Sequence, residues 1–533
     1  MRNTQILLLL PLCLMVACNT VEKGPNLVPE APSVAPNYWC TWYAQNYWQQ
    51  RGGEIYNFNT INNPNAREEL TYEHVFNDKD GWASTYLPDS RSDMYFLIDH
   101  GWQTKDKEKR IEGAQPFFSL QIDENDFPEF AETKPEEALR LFNEEIQSYG
   151  WKGLGIWVRG NITENVARKF VEWSKYAGIK YWKIDGGDID EFYSYKVKQD
   201  AFPELVLEYV TPAGNLNPNW DKANLSEYPS LYEVDSIHKA NTLRVLQNSD
   251  VFRTYDASPQ LMTTTTLRRA HDLLKLASDN PKYVATLNLQ DDCNAAAALG
   301  CLVASKRHPN FNERLYKGKD LHHQLNGKRH MQARINEVDR FNRWERIAQA
   351  FPVGMGTYSY SDKELIDCFR YDEYSTWNKA TYGKIVYQSA PSIMARNIAL
   401  PRVDVEGEAP YVMATRYPNG AICVSTEGRV KLDNEWFYPL ASVTVDIEKF
   451  ENPIGVFGYY KELILESEVP LEKIKKIFAQ DLLADYSVNI MEDVLIEKKR
   501  IIIPGGLIKR IGLSSANEGD ISVPGMVVKV EFN

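Results

Sequence analysis

Histidine is scarce in this chain, with 8 in 533 residues, and no two of them stand at a ligand spacing such as His-x-x-x-His. A histidine-based metal hydrolase is therefore disfavoured, and no metal or cofactor is expected. Cysteine is also sparse. Of the 7, Cys13 and Cys18 lie near the start, while Cys40, Cys293, Cys301, Cys368 and Cys423 are scattered. That odd remainder, without paired spacing, argues against a disulfide framework or a cysteine metal site. Positive charge is in deficit as well: the formal net charge is −13 and the pI near 5.3, which speaks against a nucleic-acid partner. Apart from one N-terminal segment, no apolar run is long enough to read as membrane-spanning, and there are no internal repeats.

What the chain does have is aromatic and apolar bulk. Its composition of 43% hydrophobic and 12% aromatic residues supports a large core and two domains. Flat rings of this kind serve mostly as core, and they also suit the C–H faces of sugars.

At the N-terminus, Met1-Arg2-Asn3 precedes an apolar run from Ile6 to Val16, which ends in Leu14-Met15-Val16-Ala17-Cys18. This resembles a bacterial lipoprotein box, with a signal over 1–18 and Cys18 as the lipidated residue, a cleaved signal being the alternative. The Pro-rich stretch 19–35 reads as a flexible tether. Together these imply a lipid-anchored protein of the bacterial cell envelope, periplasmic or surface-exposed, with the membrane as one partner.

From residue 36 to about 400 short apolar runs alternate with helical periods. Met94 to Ile98, Gly153 to Val158, Tyr181 to Asp185, Glu204 to Val210, Asp250 to Asp256 and Tyr283 to Gln290 read as strands. Between them, Thr133 with Glu136 reads as a capping box, and Val166, Phe170, Trp173 and Ala177 form one helix face stopped by Gly178. Repeated strand-then-helix order predicts a parallel (β/α)8 TIM barrel over 36–400. After 401 the texture turns to short β-rich runs with Pro-Asn-Gly and Pro-Gly-Gly turns, which predicts a C-terminal antiparallel β-sandwich over 401–533.

In such a barrel the functional face is the C-terminal edge of the strands. The residues there are Trp42, Asp99, Lys183 with Asp185, Glu208, and Arg253 with Asp256. Several carboxylates beside a lysine, an arginine and aromatic rings suit glycoside hydrolysis, which needs one ionised and one protonated carboxyl across the scissile bond. Lys183, two residues before Asp185 on a strand, projects to the same side at about 7 Å. It would hold Asp185 ionised, or the two form a plain salt bridge at the barrel mouth.

Asp99-His100-Gly101-Trp102-Gln103 resembles the Asp-Asp-Gly-Trp strand end of melibiase-type α-galactosidases and their raffinose synthase relatives, the retaining α-glycosidases of glycoside hydrolase clan D. Further segments follow in the same order. Tyr38-Trp39-Cys40-Thr41-Trp42 resembles the family's opening strand, and Gly153-Leu154-Gly155-Ile156-Trp157-Val158 its Gly-Leu-Trp-Val strand. Tyr181-Trp182-Lys183-Ile184-Asp185 is similar to Tyr-x-Lys-x-Asp, and Arg253-Thr254-Tyr255-Asp256 to Arg-x-Ser-Asp.

The resemblance implies a retaining α-glycosidase with Asp185 as nucleophile and Asp256 as acid/base. Trp42, Asp99, His100, Trp157, Lys183, Glu208 and Arg253 would then line an oligo- or polysaccharide site. His100 stands where the family has a second aspartate, which changes the donor and acceptor supply and leaves the sugar open. Asp188, Asp190, Asp291 and Asp292 are rival carboxylates, better read as loop caps or solvated charges. The polar insert 307–329 is read as a decorated loop. A transglycosylase of the raffinose synthase type and a non-catalytic glycan-binding lipoprotein are the alternatives.

Overall fold

The computed structural model describes residues 23–42, 44–45, 67–79, 81–106, 119–160, 162–185, 191–210, 236–254, 263–305, 334–370, 385–432, 435–517 and 521–533. Cys18, Asp188, Asp190, Tyr255, Asp256 and the insert 307–329 lie outside these residues.

Eight parallel strands form one sheet: β1 Asn37–Cys40, β2 Met94–Ile98, β3 Gly153–Arg159, β4 Tyr181–Asp185, β5 Val206–Tyr209, β6 Val251–Arg253, β7 Thr286–Asn288 and β8 Ala304–Ser305. They pair in sequence order and β1 pairs with β8, while an isolated Asn288–Leu302 bridge links the β7 and β8 ends of the sheet. This is the predicted barrel.

Alternation divides its residues. Trp39, Phe96, Ile98, Leu154, Ile156, Trp182, Ile184, Leu207, Phe252 and Leu287 are buried in the main core cluster, which also holds the helix faces from Pro135–Ser148 and Glu164–Ala177. Tyr38, Cys40, Tyr95, Leu97, Tyr181 and Ala304 form a separate lumen cluster. On β3 the lumen side carries glycine: a Cβ on Gly155 would sit 3.3 Å from the Leu97 side chain, its register partner on β2.

The helix Glu164–Ala177 ends as its sequence predicts, with Gly178 left-handed at φ 71°, and at its start Thr163 accepts from the Val166 amide. The helix Pro135–Ser148 does not. Its N-cap is Lys134, and the Thr133 hydroxyl turns back to donate to the Phe130 carbonyl at 2.8 Å, so no capping box forms. Pro135 explains the shift: at the first helical position it presets φ and has no N–H to satisfy.

The C-terminal part is β-rich. An eight-stranded sheet, including Tyr411–Arg416, Ile422–Glu427, Ile454–Phe457, Ile474–Asp481 and Gly525–Phe532, faces a five-stranded one built on Ser442–Glu448, Glu462–Ser467 and Arg500–Pro504. Val412, Val424, Val456 and Val528 from the first meet Val443, Val445, Leu463 and Ile503 from the second in a shared core. Most pairings are antiparallel, whereas Ile393–Arg396 with Tyr411–Arg416, Ile422–Glu427 with Ile454–Phe457, and Ser442–Glu448 with Glu462–Ser467 run parallel. The expected boundary at 400 falls inside this sheet, because Tyr358–Tyr360 and Ile393–Arg396 already belong to it.

Barrel and sandwich are joined by buried polar contacts. Arg340 binds Asp481 through Nε at 2.9 Å and Nη2 at 3.2 Å, and Arg396 Nη1 donates to the Leu299 carbonyl at 2.6 Å. The stretch from Lys23 to Ala35, read as tether, is packed along this body. The Gly24 amide donates to Ser487 O at 2.8 Å, and the Ser33 amide to Asp93 Oδ1 at 2.6 Å. Lys152 Nζ donates to the carbonyls of Ser33 and Ala35 at 2.8 and 2.7 Å. Proline and polar residues make the segment look unstructured, yet its backbone finds partners on both parts of the chain.

Candidate active site

The carboxyl ends of β1 to β7 bring two charged clusters together in the barrel. The first is built on β2, β3 and β4. Lys183 Nζ lies 2.6 Å from Asp99 Oδ2 and 3.9 Å from Asp185 Oδ2. The main partner of Lys183 is therefore Asp99, across two strands, and not the aspartate two residues on. Lys183 and Asp99 are 2% and 3% exposed at the side chain, whereas Asp185 is 26% exposed. The pair is sealed in and Asp185 opens outward.

Asp99 takes further donors, from Cys40 Sγ at 3.1 Å and from the His100 amide at 2.8 Å. Burial raises its pKa, but Lys183 and these donors outweigh that and hold the carboxyl at about 2. The ammonium of Lys183 suffers the same desolvation, and the charge of Asp99 overrides it and keeps Lys183 protonated. A protonated lysine thus stands permanently behind Asp185.

Trp157, from β3, supplies the second contact to that carboxylate: its indole Nε1 donates to Asp185 Oδ2 at 3.3 Å. His100 lies flat on the Trp157 ring, with centroids 4.3 Å apart and planes within 5°. Burial, chiefly, then the charges of Arg67, Lys183 and Arg159 push the His100 pKa down to about 4, with Asp99 opposing, so its imidazole is neutral at ordinary pH. Gly101 makes this turn feasible: its φ is 132°, and a Cβ there would lie 2.6 Å from the Arg67 carbonyl oxygen.

The second cluster lies on β1, β5, β6 and β7. Glu208 accepts from the Tyr38 hydroxyl at 2.6 Å and from Asn288 Nδ2 at 2.7 Å, and Arg253 Nε is 3.6 Å from it. Arg253 Nη2 also donates to the Tyr38 hydroxyl. Register explains the grouping, since Lys183 pairs with Glu208 and Arg253 with Asn288 across neighbouring strands. Glu208 and Arg253 are fully buried and hold one another from inside the lumen.

Of the residues expected at the site, Asp99, His100, Trp157, Lys183 and Asp185 form one contact network, and Glu208 with Arg253 forms the adjoining one. Trp42 is half-buried against the lumen cluster beside Tyr38 and Cys40. The rival Asp292 is buried and accepts from the Thr263 hydroxyl at 2.8 Å, a structural role. Tyr38, Cys40 and Asn288 belong to these clusters and are not among the residues the sequence points to. The two-residue alternation along β1 places Tyr38 and Cys40 on one face, a signal that was available. Among the described residues no group of three His, Cys, Asp or Glu side chains could hold a metal ion, and no helix is long and apolar enough to cross a membrane.

No protein-family model matches the chain, and no curated protein does. Solved structures match at low identity. The carboxyl transferase domain of Rhizobium etli pyruvate carboxylase with 3-hydroxypyruvate is 13% identical over 63% of this chain and 56% of that one, with a TM-score of 0.29. The same domain with 3-bromopyruvate is 12% identical over 60% of this chain and 48% of that one, at 0.29. A chitinase A candidate from Streptomyces coelicolor is 11% identical over 50% of this chain and 78% of that one, at 0.23. The chain thus spans about half the length of the first of these structures, and likeness at this level bears on neither reaction nor substrate.

Proposed function

We propose that this protein is a glycoside hydrolase, a retaining α-glycosidase that releases terminal α-linked sugars from oligo- or polysaccharides by double displacement. Asp185 is the nucleophile and Asp256 the acid/base in this reading. One observation carries it: Asp185 is the open carboxylate at the mouth of the barrel, backed by a buried Lys183–Asp99 pair and touched by the Trp157 indole N–H. A carboxylate that must attack an anomeric carbon has to be ionised and accessible at once. The ammonium 3.9 Å away favours the first, and the 26% exposure of the side chain provides the second.

In the first step a carboxylate oxygen of Asp185 forms the bond to the anomeric carbon while Asp256 protonates the departing oxygen. In the second step Asp256 takes the proton from water, which displaces Asp185 and restores both groups. The half-buried Trp42 suits the apolar face of a sugar ring. The reading extends to place: a lipid on Cys18 would hold the enzyme at a bacterial membrane, where it meets glycans outside the cytoplasm.

The test is a screen of aryl α-glycosides (galactose, glucose, arabinopyranose, N-acetylgalactosamine) with the anomer of the released sugar followed by NMR. Net retention is expected, with a loss of several orders of magnitude in kcat for Asp185→Asn while the variant still folds and binds sugar. Activity near that of the unmodified protein in Asp185→Asn, or inversion at the anomeric carbon, refutes the assignment.

A further inference from the structure

Three contacts run from the turn after β2 to one residue of β3. Trp102 Nε1 donates to the Trp157 carbonyl at 3.3 Å, and Gln103 Nε2 donates to the same oxygen at 3.1 Å. His100 covers the indole face at 4.3 Å and 5°. Backbone and ring of Trp157 are thus held from the four-residue stretch 100–103, and the polar atom of its side chain, Nε1–H, points at Asp185 Oδ2. A side chain confined in this way has few rotamers left in which that hydrogen bond is broken.

We infer that His100 is a positioning residue: by stacking on Trp157 it fixes the indole N–H against Asp185, and so sets the direction and basicity of that carboxylate. The inference rests on the reading of Asp185 as nucleophile. It gives position 100 a function that does not require contact with substrate. His100 is 9% exposed, and its ring lies nearly parallel to the indole, the geometry of an offset or face-to-face aromatic pair. Its neutrality suits the role, because a protonated imidazole would add a further cation beside Lys183 and Arg159. The stacked contact is also independent of which ring nitrogen carries the proton.

The same geometry separates the ring from the charge. A phenylalanine at 100 would keep the stack and lose both nitrogens, while an alanine would lose the stack. At position 157, a phenylalanine would keep the ring and lose the N–H. These three variants isolate the proposed parts, and none removes a carboxylate.

The experiment uses the full chain labelled with 15N-indole tryptophan, together with steady-state kinetics on the best aryl α-glycoside. The Trp157 Nε1–H signal is identified by its disappearance in Trp157→Phe. In His100→Ala that signal is expected to move or broaden, and kcat to fall by about ten- to a hundred-fold with KM little changed, the size of effect that misplacement of a reacting group produces. In His100→Phe both should recover most of the way. Trp157→Phe should shift the acid limb of the kcat/KM profile to higher pH, because a hydrogen bond to the ionised carboxylate is gone.

An unmoved indole signal in His100→Ala, or a His100→Phe variant as impaired as His100→Ala, overturns the positioning role. The two readings fail differently. If no glycoside is cleaved but the indole signal responds as described, the glycosidase assignment falls while the clamp on Asp185 stands. An active enzyme whose indole signal ignores His100 overturns the clamp alone.

Discussion

Replacing Asp99 by asparagine strands the ammonium of Lys183 in the barrel lumen. The two side chains are 2.6 Å apart and at most 3% exposed, so water cannot take over the lost partner. Breaking a buried pair from one side costs about 3–5 kcal/mol. Two features of the site bear on where in that range the value falls. Asp185 Oδ2 is already 3.9 Å from Lys183 Nζ and can attract part of its charge, which favours the lower end. Asp99 also accepts from Cys40 and the His100 amide, and an asparagine oxygen keeps only some of these.

Proton linkage gives an independent figure. The carboxyl is held at about 2 against an ordinary 3.8, a difference equivalent to about 2.5 kcal/mol. Because the folded value lies below the unfolded one, this stabilisation is complete above pH 3.8 and is lost as pH falls through about 2. Asp99→Asn should therefore unfold about 3 kcal/mol more easily than the unmodified protein at pH 7, measured by guanidinium titration with tryptophan fluorescence. The gap should narrow below pH 4. The double variant Asp99→Asn/Lys183→Met should be less destabilised than the sum of its single changes by about 2 kcal/mol. A single variant within about 0.5 kcal/mol of the unmodified protein, a gap independent of pH, or strict additivity would refute the buried-pair reasoning.

Glu345 is a buried carboxyl at the foot of the barrel, and burial raises it to about 8 from an ordinary 4.5, against the weaker pull of the Ala350 amide and Lys152. A raised carboxyl favours the folded state below pH 4.5 and loses that advantage as pH climbs toward 8, so Glu345→Gln should stabilise at pH 7 by up to about 3 kcal/mol. Thermal melts at pH 5 and 8 check it, and equal effects at both would contradict the sign. Gly300→Ala should destabilise by about 2–4 kcal/mol, since the position is left-handed at φ 61° and a Cβ would lie 2.3 Å from the Phe351 ring. A melt shifted by less than a degree would show that Phe351 moves aside freely. Tyr38→Phe removes a 2.6 Å donor from fully buried Glu208 and leaves Arg253 without that hydroxyl, for a loss of about 1–3 kcal/mol in the same unfolding assay.

Why some of this was legible and some was not comes down to which interactions are local. Parallel barrel strands are buried on both faces, so Met94–Ile98 and Tyr181–Asp185 show as apolar runs that stop at a carboxylate, and the structure has strands at those residues. The helix face of Val166, Phe170 and Ala177 and its Gly178 stop follow from spacing within one element. Site partners do not. Lys183 and Asp99 are 84 residues apart and Tyr38 and Glu208 are 170 apart, so the i+2 neighbour Asp185 looks like the natural partner of Lys183 while the true one lies at the end of β2. The segment 23–35 failed for the same reason, since its hydrogen bonds go to Asp93, Gln480 and Ser487.

Register, however, is a rule and not a distance. Given parallel strands in sequence order, a lumen-facing residue on one strand meets the lumen-facing residues on its neighbours at the same height. Applied to Lys183 it yields Trp157 on one side and Glu208 on the other, and applied to Arg253 it yields Asn288. The Trp157 indole that reaches Asp185, and the amide that completes the shell of Glu208, were therefore within reach of the sequence once the barrel was assumed. The ring of His100 on Trp157 was not, because His100 lies past the end of β2, in a turn that no register rule places.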